Sequence, residues 1–197
     1  VSLNAHKQIF KAFIEQANEK YVYEIGEVPV SDEWVTLSEN WNSMHLMRGG
    51  VLTKHGESLP DNIKLLFDSP LIAHCPPHAA EVVLSILQPK TKIPSHYGIS
   101  NIKWTLHIPI EINEKSYLEV AGQKQYWHKE SEALLFDDSF IHSAENMAST
   151  PRAVLIIDIW NPHLSQQERG DVKALMSLYG EWSKSYGALA VLDRRFY

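Results

Sequence analysis

Lys103-Trp104-Thr105-Leu106-His107-Ile108-Pro109-Ile110-Glu111-Ile112 is the stretch whose reading decides the fold. Its side chains alternate. Lys103, Thr105 and His107 share one face, while Trp104, Leu106, Ile108 and Ile110 share the other. A period of two marks a β-strand whose two sides meet different surroundings. A second run, 153–160, alternates Ala153, Leu155, Ile157 and Ile159 against Val154, Ile156 and Asp158, with Arg152 at its start. Both of its faces are apolar in the middle, so this strand is expected at the centre of a sheet. Outward from these two lie Val82–Leu87 and the runs 117–120, 124–127 and 133–136, each bounded by turn residues. Six short strands with tight connections predict an antiparallel sandwich or barrel, not βαβ units.

The flanks read differently. In 4–20, Ile9, Phe10, Phe13, Ile14 and Ala17 recur at helical spacing, giving an amphipathic helix to lie across a core. After residue 160, Ser165 followed by Glu168 is a capping-box pattern, with Val172, Leu175, Met176 and Tyr179 on one helical face. Between 28 and 80 the pattern is irregular, broken by Pro29, Gly49, Gly50, Gly56, Pro60, Pro70, Pro76 and Pro77, with a short helix expected at Asp61–Phe67. No repeat, low-complexity stretch or linker interrupts the chain. We therefore expect one domain over 1–197, mainly β, with a β-core at about 81–160 and helices packed on it.

Composition narrows the function classes. The chain has 197 residues, 44% hydrophobic and 21% charged, which is ordinary for a soluble globular protein. A formal charge of −6 argues against a nucleic-acid partner, whose phosphates call for a basic surface. No apolar run approaches a membrane span and none near the N-terminus resembles a signal core, so no membrane partner is expected. Val1 is not a natural start, which leaves room for a short leader. One cysteine, Cys75, excludes an internal disulfide and suits a reducing cytosol, so a cytoplasmic location is expected.

Ten histidines stand out, and only spacing can promote any of them to a ligand. Pro94-Ser95-His96-Tyr97-Gly98 delivers one from a proline-containing turn at a strand edge. Phe136-Asp137-Asp138-Ser139-Phe140-Ile141-His142 delivers a second, and Arg152 follows ten positions later. Non-haem Fe(II) oxygenases hold the ion by imidazoles on one side and leave the other side open for co-substrate and O2. 2-Oxoglutarate chelates iron through its keto-acid end, so its far carboxylate needs a cation deeper in the pocket. A planar guanidinium grips such a carboxylate bidentately. Arg152 either meets an anion in this way or reaches water at the mouth of its strand. Asp137 and Asp138 could serve as a third ligand or a base; they more simply fix the turn and orient their neighbours. Trp104, Trp127 and Trp160 read as packing aromatics, and His74, His78, His128 and His163 as surface or loop residues.

Beyond these motifs, the stretch 85–162 resembles the aspartyl/asparaginyl β-hydroxylase family. The resemblance rests on Ser85 with Pro89 and Thr91, His96-x-Gly98-x-Ser100-Asn101, His107-x-Pro109, Trp127, Phe136-Asp137-Asp138-Ser139-Phe140-x-His142, Asn146, Arg152 and Asp158-x-Trp160-x-Pro162. It implies a cupin-like double-stranded β-helix (jelly roll) and an Fe(II)/2-oxoglutarate-dependent dioxygenase. Its metal ligands would be His96 and His142. Arg152 and Ser85 would bind the distal carboxylate of 2-oxoglutarate, and His107 its chelating end. Gly98 stands where most such oxygenases carry Asp or Glu, so iron would be held by two side chains, with water in the remaining position as in the aspartyl hydroxylase branch. The chain departs from that branch at Lys103 and Thr105, where the branch carries two arginines near the substrate. Substrate contacts are expected from Lys103, Thr105 and Arg48, with His45 beside Arg48.

The reaction implied is hydroxylation of a C–H bond in a small molecule or peptide, with O2. Two alternatives stay open. A halide could occupy the place of the missing carboxylate, giving a halogenase, or the chain could be a non-catalytic cupin-like metal-binding module. Structural zinc wants four protein ligands, and only two are in view.

Overall fold

The structure is a computed structural model that describes residues 3–17, 19–20, 40–98, 100–127 and 132–186. Its elements run α1 (Leu3–Ile14), β1 (Glu19–Lys20), β2 (Trp41–Arg48), β3 (Val51–Leu52), α2 (Lys54–Glu57), α3 (Asp61–Phe67), β4 (Val82–Leu87), β5 (Thr91–His96), β6 (Lys103–Glu111), β7 (Ser116–Val120), β8 (Gln123–Tyr126), β9 (Leu134–Phe136), β10 (His142–Asn146), β11 (Arg152–Trp160) and α4 (Gln166–Tyr186). Pro29 and His128 lie outside the described residues.

From β4 onward the chain behaves as one long hairpin wound on itself. The outermost strands pair, β4 with β11, then β5 with β10, β6 with β9, and β7 with β8, all antiparallel. The innermost turn is Ala121-Gly122, both at positive φ, the backbone that a two-residue hairpin of this twist requires. Successive pairs fall alternately into two sheets. One is ordered β1-β2-β4-β11-β6-β9, and the other β5-β10-β7-β8. This winding is a double-stranded β-helix, a jelly roll with helices on one side.

Alternation along the strands separates two cores. Leu84, Ile86, Leu155 and Ile157 project from the larger sheet toward the helices and pack with Phe10, Ile63, Phe67 and Met176. On the other face, Leu87 and Val154 meet Ile93, Leu118 and Ala144 of the smaller sheet, closing the barrel interior. β11 is the central strand expected from its two apolar faces, flanked by β4 and β6. The short helix at Asp61–Phe67 is present as anticipated. The capping box forms as well: the Ser165 amide donates to Glu168 Oε2 at 2.7 Å, and the Glu168 amide to Ser165 Oγ at 3.2 Å. In the helix that follows, Val172 and Met176 pack on the core, whereas Leu175 points to solvent, contrary to expectation.

Five strands were not foreseen, among them the two-residue β1 and β3, which both pair with β2, β1 lying at the end of the stretch expected to be helical. β2 lies inside the region read as irregular; Met44, Leu46 and Met47 are all buried, so no alternation shows. β5 contains Pro94, and β10 is the mostly polar His-Ser-Ala-Glu-Asn. Among the described residues no helix is long and apolar enough to cross a membrane.

Candidate functional site

β5 ends at His96 and β10 begins at His142, and the register places these two residues directly opposite each other. Their rings lie 4.1 Å apart between centroids, tilted by 55°. Each ring is oriented in the same way. His96 Nδ1 is 2.7 Å from the Pro94 carbonyl oxygen, and His142 Nδ1 is 2.9 Å from that of Phe140. A carbonyl only accepts, so both Nδ1 atoms carry the proton and both Nε2 atoms carry the lone pair. Burial keeps both rings neutral. It lowers His96 to about 4, helped by the neighbouring His142, against the opposing pull of the Pro94 carbonyl and Asp138. Burial likewise lowers His142.

Gly98 does not merely lack a ligand. A Cβ there would stand 2.7 Å from both Cγ and Oδ2 of Asp138, so the Asp138 carboxylate already fills that space. The Gly98 amide donates to the Asp138 carbonyl at 2.7 Å, clasping the two segments together. Asp137 does fix the turn, accepting the Ser139 amide at 2.9 Å. Asp138 does something else: Oδ2 accepts from Lys103 Nζ at 2.8 Å, and Oδ1 is buried with no hydrogen-bond partner among the described residues.

Lys103 is neither a solvated surface lysine nor a cation open to substrate. Its ammonium also donates to Asp158 Oδ1 at 3.0 Å, forming a buried triad with Asp138. Burial opposes its charge, but Asp158 and Asp138 together outweigh that and raise its pKa. Arg48 is exposed where β2 enters the turn to β3. His45 is buried, 3.6 Å from Glu81 Oε2.

Deeper in the barrel Arg152 is 1% exposed, and its Nε and Nη2 have no hydrogen-bond partner among the described residues. It does not reach water. Burial lowers its pKa to about 10, still leaving it charged near neutrality. The guanidinium lies over the Trp127 ring at 5.1 Å, and His107 stacks parallel to the same indole at 6.4 Å. Trp127 Nε1 and His107 Nδ1 are also buried without a hydrogen-bond partner among the described residues. Burial, then Arg152 and His142, hold the His107 pKa well below its ordinary value. Ser85 lies diagonally from Arg152 across β4 and β11, and its hydroxyl accepts from Trp41 Nε1 at 2.9 Å. Phe136 joins the two halves, edge-on to His107 at 5.2 Å and to His142 at 5.3 Å. His96, His142, His107, Ser85 and Arg152 thus share one inner region. The indoles of Trp41 and Trp127 belong to it too, although a lone tryptophan in sequence reads only as packing.

The aspartyl/asparaginyl beta-hydroxylase family model matches residues 3–162. The chain belongs to that family. It is 38% identical over 99 residues to aspartate beta-hydroxylase domain-containing protein 2 of Xenopus tropicalis, a match covering 49% of this chain and 26% of that protein. It is 28% identical over 146 residues to aspartyl/asparaginyl beta-hydroxylase of Homo sapiens, covering 73% and 19% respectively. The chain therefore spans about a fifth to a quarter of these curated relatives. Among solved structures, a cupin-superfamily sugar phosphate isomerase from Silicibacter pomeroyi aligns with a TM-score of 0.41 and 13% identity over 70% of each chain.

Several further residues of this β-hydroxylase-family chain hold the site together. Asn146, fully buried, donates to the carbonyls of Leu87, Gln88 and Thr150 and accepts from Ser116 Oγ and the Ala148 amide. It thereby ties down the loop that delivers Arg152. Asp158 accepts the Glu81 amide at 2.9 Å, and Asn161 donates to the Asn101 carbonyl at 2.8 Å.

The donor set fits a ferrous ion and 2-oxoglutarate. Two neutral imidazoles with matched tautomers suit a borderline divalent ion, and backbone carbonyls orient them. Among the described residues no third His, Cys, Asp or Glu completes a closed site. The buried guanidinium and its neighbouring unpartnered N–H groups suit a carboxylate.

Proposed function

We propose that this protein is an Fe(II)- and 2-oxoglutarate-dependent dioxygenase that hydroxylates a C–H bond of an amino acid, a peptide residue or a small metabolite. His96 and His142 hold the iron through Nε2. Arg152 and Ser85 take the distal carboxylate of 2-oxoglutarate, His107 stands at the chelating end, and Thr105 faces the substrate. When bound, iron and 2-oxoglutarate supply the O2-driven oxidation, yielding succinate, CO2 and the hydroxylated product. The chain's own part is to orient and to exclude water. The Pro94 and Phe140 carbonyls fix the two imidazoles, Trp127 lies under the Arg152 guanidinium and parallel to His107, and Phe136 spans the gap between His107 and His142.

Arg152 carries this reading. Burying an unpaired guanidinium costs several kcal/mol, and its Nε and Nη2, without a hydrogen-bond partner among the described residues and beside the neutral His107, give that cost a purpose. A zinc-binding module would have no use for it. The Asp138 carboxylate pressed against Gly98 also sets a negative charge beside the position whose missing carboxylate a halide would replace, which would disfavour a halide there. The single buried thiol, Cys75, suits a reducing compartment.

Anaerobic thermal unfolding tests the proposal. Mn(II) with 2-oxoglutarate at about 100 times its Kd should add roughly 2.7 kcal/mol of stability, and Fe(II) in air should then release succinate in the presence of substrate. Indifference to 2-oxoglutarate would overturn it.

A further inference from the structure

We propose that the substrate presents an uncharged hydrogen-bonding group, a carboxamide or hydroxyl, to Thr105 rather than a carboxylate to Lys103; this rests on the function proposed above. Three observations carry it. The first is that Lys103 is spent. Two carboxylates already grip its ammonium, and the triad as a whole is negative. The second is charge balance. With the ferrous ion and the 2-oxoglutarate dianion cancelling each other, Arg152 and Lys103 offset Asp138 and Asp158. An anionic substrate group would therefore be an uncompensated buried charge, which a protein interior tolerates poorly.

The third observation is Thr105 itself. It is 5% exposed, and its Oγ1 is buried with no hydrogen-bond partner among the described residues. It stands on β6 between Lys103 and His107, on the face that both direct into the barrel, opposite Phe136 on one side and Asp158 on the other. A buried hydroxyl costs free energy until something bonds it. A neutral donor–acceptor group answers that need without disturbing the charge balance, and a site built to bond such a group discriminates strongly against a partner that cannot match it.

The test uses two probes that differ only in charge: N-acetyl-L-asparagine amide, and N-acetyl-L-aspartic acid α-amide with its free side-chain carboxylate. The protein is loaded anaerobically with Mn(II) and 2-oxoglutarate, and binding is read from the paramagnetic relaxation of the probe protons. We expect the carboxamide to bind at least about tenfold tighter. In Thr105→Val, which keeps the shape and loses the hydroxyl, that preference should collapse to within about twofold, and Thr105→Ser should restore it. A 2-oxoglutarate-dependent rise in Tm verifies that each variant is folded and loaded. The proposal is overturned if the carboxylate probe binds as well or better, if Thr105→Val keeps the preference, or if neither probe is relaxed. Failure of the wild type to bind Mn(II) or to respond to 2-oxoglutarate would instead reject the functional reading beneath it.

Discussion

His142 faces His96 across the β5–β10 ladder, and each ring is held by the carbonyl two residues before it. Two strands reach the barrel mouth from opposite ends of the β-core and present one pair of Nε2 lone pairs. In the proposed function, neither histidine would hold the metal without the other. His96→Ala and His142→Ala should each abolish succinate release and remove the stabilisation of roughly 2.7 kcal/mol that Mn(II) and 2-oxoglutarate confer at about 100 times Kd. Both residues sit at strand ends, so the metal-free variants should unfold within about 1 kcal/mol of the wild type. Retention of metal-dependent stabilisation by either variant would contradict the assignment.

The neutrality of this pair carries a pH signature. Burial lowers His96 to about 4, well below its ordinary value in an unfolded chain, and lowers His142 and His107 in the same direction. The unfolded state therefore binds more protons between those limits, so stability rises with pH. The metal-free protein should be fully stable above about pH 6.5 and lose stability as the pH falls toward 4. His96 alone should account for about 3 kcal/mol of that loss. Urea unfolding at several pH values measures it, and His96→Gln should flatten the profile. An unchanged slope in that variant would show that the ring titrates normally.

Gly98 is the place where adding a ligand should do harm. A Cβ would meet the Asp138 carboxylate at 2.7 Å, so Gly98→Ala should displace that carboxylate and strain its bond to Lys103. We expect a stability loss of about 1–3 kcal/mol. Gly98→Asp should weaken Mn(II) binding, despite supplying a carboxylate, because two acidic side chains then compete for one space. Removing the competitor in Gly98→Asp/Asp138→Gly should recover the affinity. Tighter Mn(II) binding by Gly98→Asp alone, read by calorimetry, would refute this account.

The legible parts of the molecule are those whose two sides differ. β6 alternates because one face meets the helices and the other the polar interior, and β11 announced its central place through two apolar faces. β2 was hidden because Met44, Leu46 and Met47 are all covered, which erases the period. β5 and β10 were hidden by Pro94 and by polar composition, although motif and resemblance singled out the residues at their ends, His96 and His142, as candidates. What could not be read was pairing across distance. Lys103 meets Asp138 and Asp158 from 35 and 55 positions away, so it was expected to meet substrate or solvent. Nor does a tryptophan in sequence disclose that Trp127 will lie against both Arg152 and His107.

Arg152 separates stability from function. It is 1% exposed and charged, with no carboxylate within hydrogen-bond reach among the described residues; its contact over Trp127 offers about 0.5–2 kcal/mol. Replacing a buried charge by an apolar chain of similar length is often neutral or stabilising. Arg152→Met should therefore unfold in urea, without co-substrate, at the same concentration as the wild type or a higher one. The same variant should bind 2-oxoglutarate at least about a hundredfold more weakly, because two charge-assisted hydrogen bonds of about 1.5–3 kcal/mol each are lost. Arg152→Lys keeps the charge but not the planar fork, and should fall between the two. Sites evolved for ligands commonly carry such a penalty in their empty state. A marked destabilisation of Arg152→Met with unchanged 2-oxoglutarate affinity would make the guanidinium a structural element and leave the co-substrate pocket without its anchor.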